Sequence, residues 1–582
     1  MGKESAAAAL EKPLFGSVKR GSIQSILLCI AIGCLINIAI ACLFRCFGQI
    51  QFEMNDDLVI QNLLNGSLGD YYVYNVQSNI ALNEMLAGLY KWSGAVNWYG
   101  VFLFVMLVFS CGIVGGVLID KLGIKIGVCL YLLTTVIFFG FLIYHFTWTS
   151  VSYAMMTAGL VCLVYGFSIQ GKALRMLLYV LSVVLLVLSA FLRKETVATS
   201  LVYAASLLVL LLIKYKKRAL GAVLVVGIAF SVIGGFEALD NAYYNSTEEL
   251  REFKRFNAIR ATLSDRMQMS YEEDGAVLAQ YGWDVADLGA YQGFVYPDDS
   301  KFDADVQEQI YDALSYKKYN TNVPSLIGEL RIMFYYEYLP LTLCLAVFFL
   351  LAFFSQKRKL FKLYTVFLFA VPFLFHIFFA FVWRAVFRVV VPHYILSAML
   401  LLLFIDPQYY QSMLARSGRR VTSVAAAVMV GVAAVGLCGR LVSFSEVRAI
   451  WQGDPYRAAN QELIEYMHEN DGKAYVYGMS SMNLINNVLY TSIFDTYPKD
   501  YSINFRLIGS WDVRSPSYND FKARYGLSNL PDDLLDNDDV YLVIPDDRIY
   551  YYLLNKYGRD IEYEEVVRIN DQYAIGKMVF KD

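Results

Sequence analysis

The stretch LLVLLLIKYKKRALGAVLVV, residues 207–226, decides the fold, because it joins two long apolar runs through a short basic loop. The runs extend over about 197–213 and 219–236, close to the 20 or so residues that a helix needs to cross a bilayer. Short loops rich in Lys and Arg stay on the cytoplasmic side of a membrane, and this loop contains Lys214, Lys216, Lys217 and Arg218. The stretch therefore predicts a transmembrane helical hairpin whose turn lies in the cytosol.

The remaining sequence extends this pattern. Of the 582 residues, 57% are hydrophobic and 17% are charged, whereas soluble proteins contain about 25% charged residues. A net charge of −3 gives no electrostatic reason to expect nucleic-acid binding. The fold class predicted is a polytopic α-helical membrane protein with about eleven transmembrane helices, the other nine near 23–46, 96–119, 124–144, 150–169, 174–192, 332–353, 361–381, 386–405 and 421–441.

Loop charges also predict sidedness. With a cytoplasmic N-terminus, almost every basic loop falls in the cytosol, namely those with Lys121 and Lys125, Lys172 and Arg175, Lys357 to Lys362, and Arg416 to Arg420. We expect a multi-pass protein of the cell membrane. Its predicted parts are a cytoplasmic tail over 1–22, a membrane domain over 23–441 with outer loops at 47–95 and 237–330, and an extracytoplasmic domain over 442–582.

Two basic clusters break this rule, because they fall at the outer face. One contains Arg193 and Lys194 with Glu195, and the other contains Arg384 and Arg388 followed by His393. Long basic side chains at a helix end can reach the lipid headgroups without any further role. They can also bind an anion, since a guanidinium group reads phosphate through two parallel hydrogen bonds.

The first outer loop contains the carboxylate pair Asp56 and Asp57, within EMNDDLVIQN at 53–62. Helical spacing of apolar residues predicts two short helices that lie along the outer surface in this loop. Carboxylates at the start of a helix stabilise its N-terminus, which is the structural interpretation of the pair. A catalytic or ligand-binding role is the alternative.

Two polar regions remain. The C-terminal region alternates amphipathic helices, RAANQELIEYMHEN and DRIYYYLLNKYG, with short strands, KAYVYG and DDVYLVIPDD. This order predicts an α/β domain with a partly parallel sheet. Residues 237–330 predict short helices and turns, which either cap a site and help to select an acceptor or form a surface insertion.

The layout of the first 440 residues resembles the GT-C glycosyltransferase superfamily. The resemblance rests on the early outer carboxylate, the surface helices, and the segment from Arg388 to Tyr394, which is similar to an Arg-Tyr-x-x-Pro pattern but has Val389 in place of Tyr. It implies sugar transfer from a polyprenyl-phosphate-linked donor to a lipid-linked glycan, cell-wall polymer or protein outside the membrane. It further implies that Asp56 or Asp57 is the general base and that Arg388 contacts the donor phosphate.

Sidedness adds Arg193, Lys194 and Arg384 as donor-phosphate ligands, with Glu195 and His393 as orienting residues. No cofactor is expected; Asp56 and Asp57 are able to hold a divalent metal, but a single leaving phosphate has less need of one. A lipid or polysaccharide flippase, a transporter, and a polysaccharide polymerase or ligase are the alternative functions. Spans almost free of ionisable residues count against transport.

Overall fold

The computed structural model describes residues 22–334, 338–382, 385–452, 456–478, 491–543 and 547–581. The N-terminal half is helical throughout. Its helices are α1 (Ile23–Phe47), α2 (Asn55–Leu64), α3 (Ile80–Trp92), α4 (Trp98–Leu122), α5 (Ile124–Tyr144), α6 (Trp148–Ser168), α7 (Lys172–Leu192), α8 (Glu195–Tyr215) and α9 (Leu220–Tyr244). A second group follows in the polar segment after α9 and in the later spans. It comprises α10 (Glu248–Arg266), α11 (Tyr271–Leu278), α12 (Val285–Gln292), α13 (Ala304–Ala313), α14 (Val323–Ile332), α15 (Tyr338–Ser355), α16 (Lys359–Phe381), α17 (Phe387–Leu403) and α18 (Pro407–Gln452).

Eight stretches of the described residues are long and apolar enough to cross a membrane. One of them, Glu195–Tyr244, holds both α8 and α9 around a short 3₁₀ turn at Lys216–Ala219, as the opening hairpin predicts. The apolar α17 is shorter, and α18 covers the last predicted span. Each predicted span therefore coincides with a helix, and the polytopic helical fold class is confirmed.

The membrane helices pack tightly where small residues allow it. A β-carbon on Gly33 of α1 would lie 2.6 Å from the carbonyl oxygen of Gly112 in α4, so these helices touch backbone to backbone. Small residues at such crossings are typical of membrane helix pairs. Large apolar side chains face outward instead; Leu35 and Leu224 are each 64% exposed, as expected for surfaces that contact lipid.

The C-terminal region forms the predicted α/β domain. Its elements are α19 (Tyr456–Glu469), β1 (Ala474–Tyr477), β2 (Phe505–Leu507), α20 (Pro516–Arg524), α21 (Leu530–Asp536), β3 (Val540–Val543), α22 (Asp547–Tyr557), β4 (Ile561–Ile569) and β5 (Tyr573–Phe580). The sheet order is β2-β1-β3-β5-β4. Strand β1 pairs in parallel with β2 and β3, whereas β5 runs antiparallel to β3 and β4. The expected partly parallel sheet is confirmed.

The polar segment between α9 and α15, predicted to be an outer loop, packs on this domain. Phe256, Ile259 and Trp283 of the loop share one hydrophobic core with Val540 and Ile549 of the sheet region. The two segments also meet through their backbones, because Val295 and Gly509 form an isolated antiparallel bridge outside the sheet. Residues that are far apart in sequence therefore build one extramembrane body, which encloses α2 rather than leaving it exposed on the surface.

Candidate active site

A cavity of about 460 Å³ lies between this extramembrane body and one end of the helix bundle. Its floor comes from the start of α6, the turn between α7 and α8, and the start of α17. Its wall includes the first turn of α2, and its roof comes from α10 and the loop after β2. The alternation of spans predicts that these helix ends share one side of the membrane, and the structure places them together.

Asp56 lies in the first turn of α2 and faces the cavity. The indole N–H of Trp511 donates a hydrogen bond to its Oδ1 over 3.2 Å. Its Oδ2 lies 3.9 Å from Nη2 of Arg388, and both side chains are 16% exposed. Asp56 is thus a partly buried carboxylate that contacts a neutral donor on one oxygen and a cation on the other.

Asp57 has different surroundings, because it points into the protein. Its Oδ1 accepts hydrogen bonds from the hydroxyl of Tyr99 at 2.8 Å and from the backbone N–H of Trp148 at 3.0 Å. Burial raises the pKa of the Asp57 carboxyl to about 7. The helix begins after Met54 and no side chain caps it, but both aspartates lie in its first turn, where a negative charge suits the helix N-terminus as expected. Asp57 also holds the start of α6 through the backbone N–H of Trp148.

Arg193 and Arg388 approach the same aromatic ring. Their Cζ atoms lie 5.4 Å and 5.7 Å from the ring centroid of Trp148, within the range of a cation–π interaction. Arg193 also donates to the hydroxyl of Thr149, and its Nε lies 3.5 Å from Glu195. The break between α7 and α8 and the start of α17 therefore hold two guanidinium groups beside one indole.

The other predicted site residues are placed elsewhere. Lys194 is exposed and does not line the cavity. His393 is buried within the helix bundle, where its ring stacks on Phe375 with centroids 4.1 Å apart. Arg384 lies outside the described residues. The roles given to these three from sequence remain predictions, whereas Asp56, Arg193, Glu195 and Arg388 share one cavity.

Several lining residues escaped the sequence interpretation. Arg260 and Arg266 enter from α10, and Trp511 enters from the loop after β2. The basic stretch RFNAIRATLSDR at 255–266 is a signal for the first two, although it gives no indication of which residues they meet. No periodic pattern in the sequence indicates that Trp511 lines the cavity. Four arginines and two carboxylates line the cavity, so the lining has two more positive than negative charges, which suits an anionic ligand.

In the described part of the chain, no three His, Cys, Asp or Glu side chains lie close enough together to hold a metal ion. Asp56 and Asp57 face different partners, since the first contacts Trp511 and Arg388 and the second contacts Tyr99 and Trp148.

Fold and site define a multi-pass membrane protein with a positively charged cavity at one end of its helix bundle. No family model matches the sequence, and no curated protein matches it. Among solved structures, the chain is similar to two crystal structures of ArnT from Cupriavidus metallidurans, one bound to undecaprenyl phosphate (TM-score 0.42) and one in the apo state (TM-score 0.44). Sequence identity is 10% in both, and each match covers 93% of this chain and 97% of ArnT. Similarity at this sequence identity assigns no roles to individual residues of this chain.

Proposed function

We propose that the protein is a GT-C-type glycosyltransferase that moves a sugar from a polyprenyl-phosphate-linked donor to a hydroxyl group of an extracytoplasmic glycan, cell-wall polymer or protein. The observation that supports this proposal best is the 3.9 Å approach of Asp56 and Arg388 in a cavity at the end of the helix bundle. The chemistry of the transfer needs a base and a cation at that place.

The base is Asp56. An acceptor hydroxyl must lose its proton while its oxygen attacks the anomeric carbon of the donor sugar. The bond between that carbon and the phosphate oxygen breaks, and the proton passes to a carboxylate oxygen of Asp56. General base catalysis by a positioned carboxylate typically contributes about 10²-fold to 10⁴-fold in rate. Asp56 suits this role because it faces the cavity, unlike Asp57.

The leaving group is a lipid phosphate, whose negative charge grows as the sugar departs. Arg193 and Arg388 are the phosphate ligands in this proposal, because both line the cavity at helix ends. Preorganised cations in an enclosed site stabilise such charge better than water does. The polyprenyl tail stays in the bilayer, so the phosphate is held near the membrane surface, where these two helix ends lie.

The proposal requires the cavity to face the outside of the cell. Cysteine labelling tests this topology with a membrane-impermeant maleimide added to intact cells. Asp538→Cys, at a fully exposed position of the α/β domain, is expected to react. Lys217→Cys, in the basic loop between α8 and α9, is expected to react only after permeabilisation. The opposite pattern would contradict the proposed orientation.

The function itself is tested by genetic complementation. A strain that lacks the gene is complemented with the wild-type protein, Asp56→Asn or Asp57→Asn, and envelope glycans are compared by mass spectrometry. We expect one glycan structure to lose a sugar in the deletion strain. The wild-type protein and Asp57→Asn restore it and Asp56→Asn does not, at equal protein levels. Full restoration by Asp56→Asn would contradict the proposed role of Asp56.

A further inference from the structure

The proposed site is completed from outside the membrane domain, since Trp511 belongs to the C-terminal region. Its side chain is only 2% exposed, and its indole N–H points at Oδ1 of Asp56. We propose that Trp511 is a positioning residue, which holds the Asp56 carboxylate toward the acceptor and makes the C-terminal domain a required part of the active site. This inference rests on the proposed transferase function.

The roof loop that contains Trp511 is anchored at two points on the outer loop. The side-chain amide of Asn257 in α10 donates to the carbonyl of Trp511 at 2.9 Å. The backbone N–H of Ser510 donates to the carbonyl of Phe294 at 3.0 Å. Gly509 permits this approach, because a β-carbon there would lie 2.0 Å from the carbonyl oxygen of Phe294. Two hydrogen bonds therefore hold this loop in place.

The backbone is also strained where the roof loop and the outer loop meet at the cavity wall. Phe294 and Ser510 both line the cavity, and their φ angles are +57° and +67°. Residues with side chains rarely adopt this left-handed conformation, and such strain clusters at functional sites. In this protein the two strained residues form the backbone hydrogen bond that precedes Trp511 in the chain.

An indole suits this task chemically. It is a neutral donor, so it orients a carboxylate without adding to the charge of the site, and its N–H stabilises the ionised form that acts as base. The charged groups around Asp56 are Asp57 in the same helix, Arg388 in α17, Arg193 and Glu195 at the α7–α8 turn, and Arg260 and Arg266 in α10. A change at Trp511 leaves all of them in place.

Trp511→Phe removes the N–H and keeps an aromatic ring. The matched control is Trp283→Phe, because Trp283 is 1% exposed and its indole donates to the Lys301 carbonyl at 2.8 Å in the same extramembrane core. Detergent-permeabilised membranes of the deletion strain supply the native donor and acceptor. The initial rate of glycan formation is measured across pH after each purified variant is added, and folding is checked by thermal unfolding.

We expect Trp511→Phe to lower the rate about 10-fold to 100-fold, the usual effect of losing a hydrogen bond to a charged group. The acidic limb of its pH–rate profile moves to higher pH, and its affinity for added polyprenyl phosphate stays within about twofold of wild type. Trp511→His keeps a ring N–H and recovers part of the rate. Trp283→Phe is expected to match wild type in rate and profile.

The outcomes separate the two proposals. If Trp511→Phe matches Trp283→Phe in rate and pH profile while Asp56→Asn is inactive, the positioning role is wrong and the transferase stands. If the wild-type protein restores no glycan formation to the deletion-strain membranes, both proposals are overturned. Should Trp511→Phe fail to fold, Trp511→Leu, which also removes the N–H, carries the test, and an unshifted pH profile with a wild-type rate in that variant would contradict the role.

Discussion

Arg388 places a guanidinium nitrogen 3.9 Å from a carboxylate oxygen of Asp56, although the two residues lie near opposite ends of the membrane-embedded sequence. One belongs to a short helix after the first span, and the other begins a late span. Their approach brings a carboxylate and a cation together at the wall of one cavity.

Arg193→Ala is expected to weaken binding of polyprenyl phosphate, whereas Lys194→Ala has little effect. The two cations are adjacent in sequence, but only Arg193 lines the cavity. A lost hydrogen bond to a charged group costs about 1.5–3 kcal/mol, which corresponds to a roughly 10-fold to 100-fold weaker affinity. Fluorescence titration with polyprenyl phosphate measures the difference, and equal weakening by both substitutions would show that charge near the membrane, rather than position, attracts the lipid.

Arg388→Lys is expected to impair turnover although it keeps the positive charge. A lysine ammonium lacks the planar fork that reaches a phosphate with two bonds, and it cannot reproduce the stacking of Arg388 near Trp148. We expect transfer to fall at least about 10-fold, because the substitution costs one charged hydrogen bond. A wild-type rate for Arg388→Lys would mean that Arg388 supplies only a point charge.

The free energy of unfolding is expected to fall as pH rises, because burial favours the protonated form of Asp57. Its pKa is raised to about 7 in the folded protein, from about 3.9 in an unfolded chain. The folded state therefore holds a proton that the unfolded state releases between these values. The contribution of Asp57 to the free energy of unfolding is therefore fully present below about pH 4 and is lost as pH rises through about 7. The Tm of the wild type minus that of Asp57→Asn is expected to be smaller at about pH 8 than at about pH 5; an equal difference would contradict the assigned cause.

Asp57→Ala tests the structural role of the same residue. The substitution leaves the Tyr99 hydroxyl and the Trp148 backbone N–H without their acceptor. Each unsatisfied buried group costs about 1–3 kcal/mol, so Asp57→Ala is expected to unfold at a distinctly lower temperature than Asp57→Asn. Thermal unfolding in detergent measures this, and equal Tm values for the two variants would show that Asp57 does not anchor α6.

Activity is expected to persist after treatment with EDTA. Asp56 and Asp57 contact different partners and do not present their oxygens to one point. Glycan formation by dialysed protein in the presence of EDTA measures this, with added Mg²⁺ as the comparison. Loss of activity that Mg²⁺ restores would show that a metal joins the site.

The membrane part of the candidate site is predictable from the sequence because the topology of the spans restricts it. Asp56, Arg193 and Arg388 flank spans whose alternation puts their ends on one side, so their convergence follows from counting helices. The difference between Asp56 and Asp57 did not follow, because it depends on which carboxylate α2 turns toward Tyr99. The contributions of Arg260 and Trp511 depend on the packing of two distant segments into one body, which no local pattern encodes.

The most direct test of the central claim is the rate at which purified wild-type protein and Asp56→Asn convert the polyprenyl-phosphate-linked sugar of deletion-strain membranes into free polyprenyl phosphate and glycan. We predict that Asp56→Asn loses at least about 10²-fold in this rate, while it binds polyprenyl phosphate as wild type does and Asp57→Asn stays within about 10-fold of wild type. A wild-type rate for Asp56→Asn would contradict the claim that a carboxylate and two arginines at this end of the helix bundle carry out the transfer.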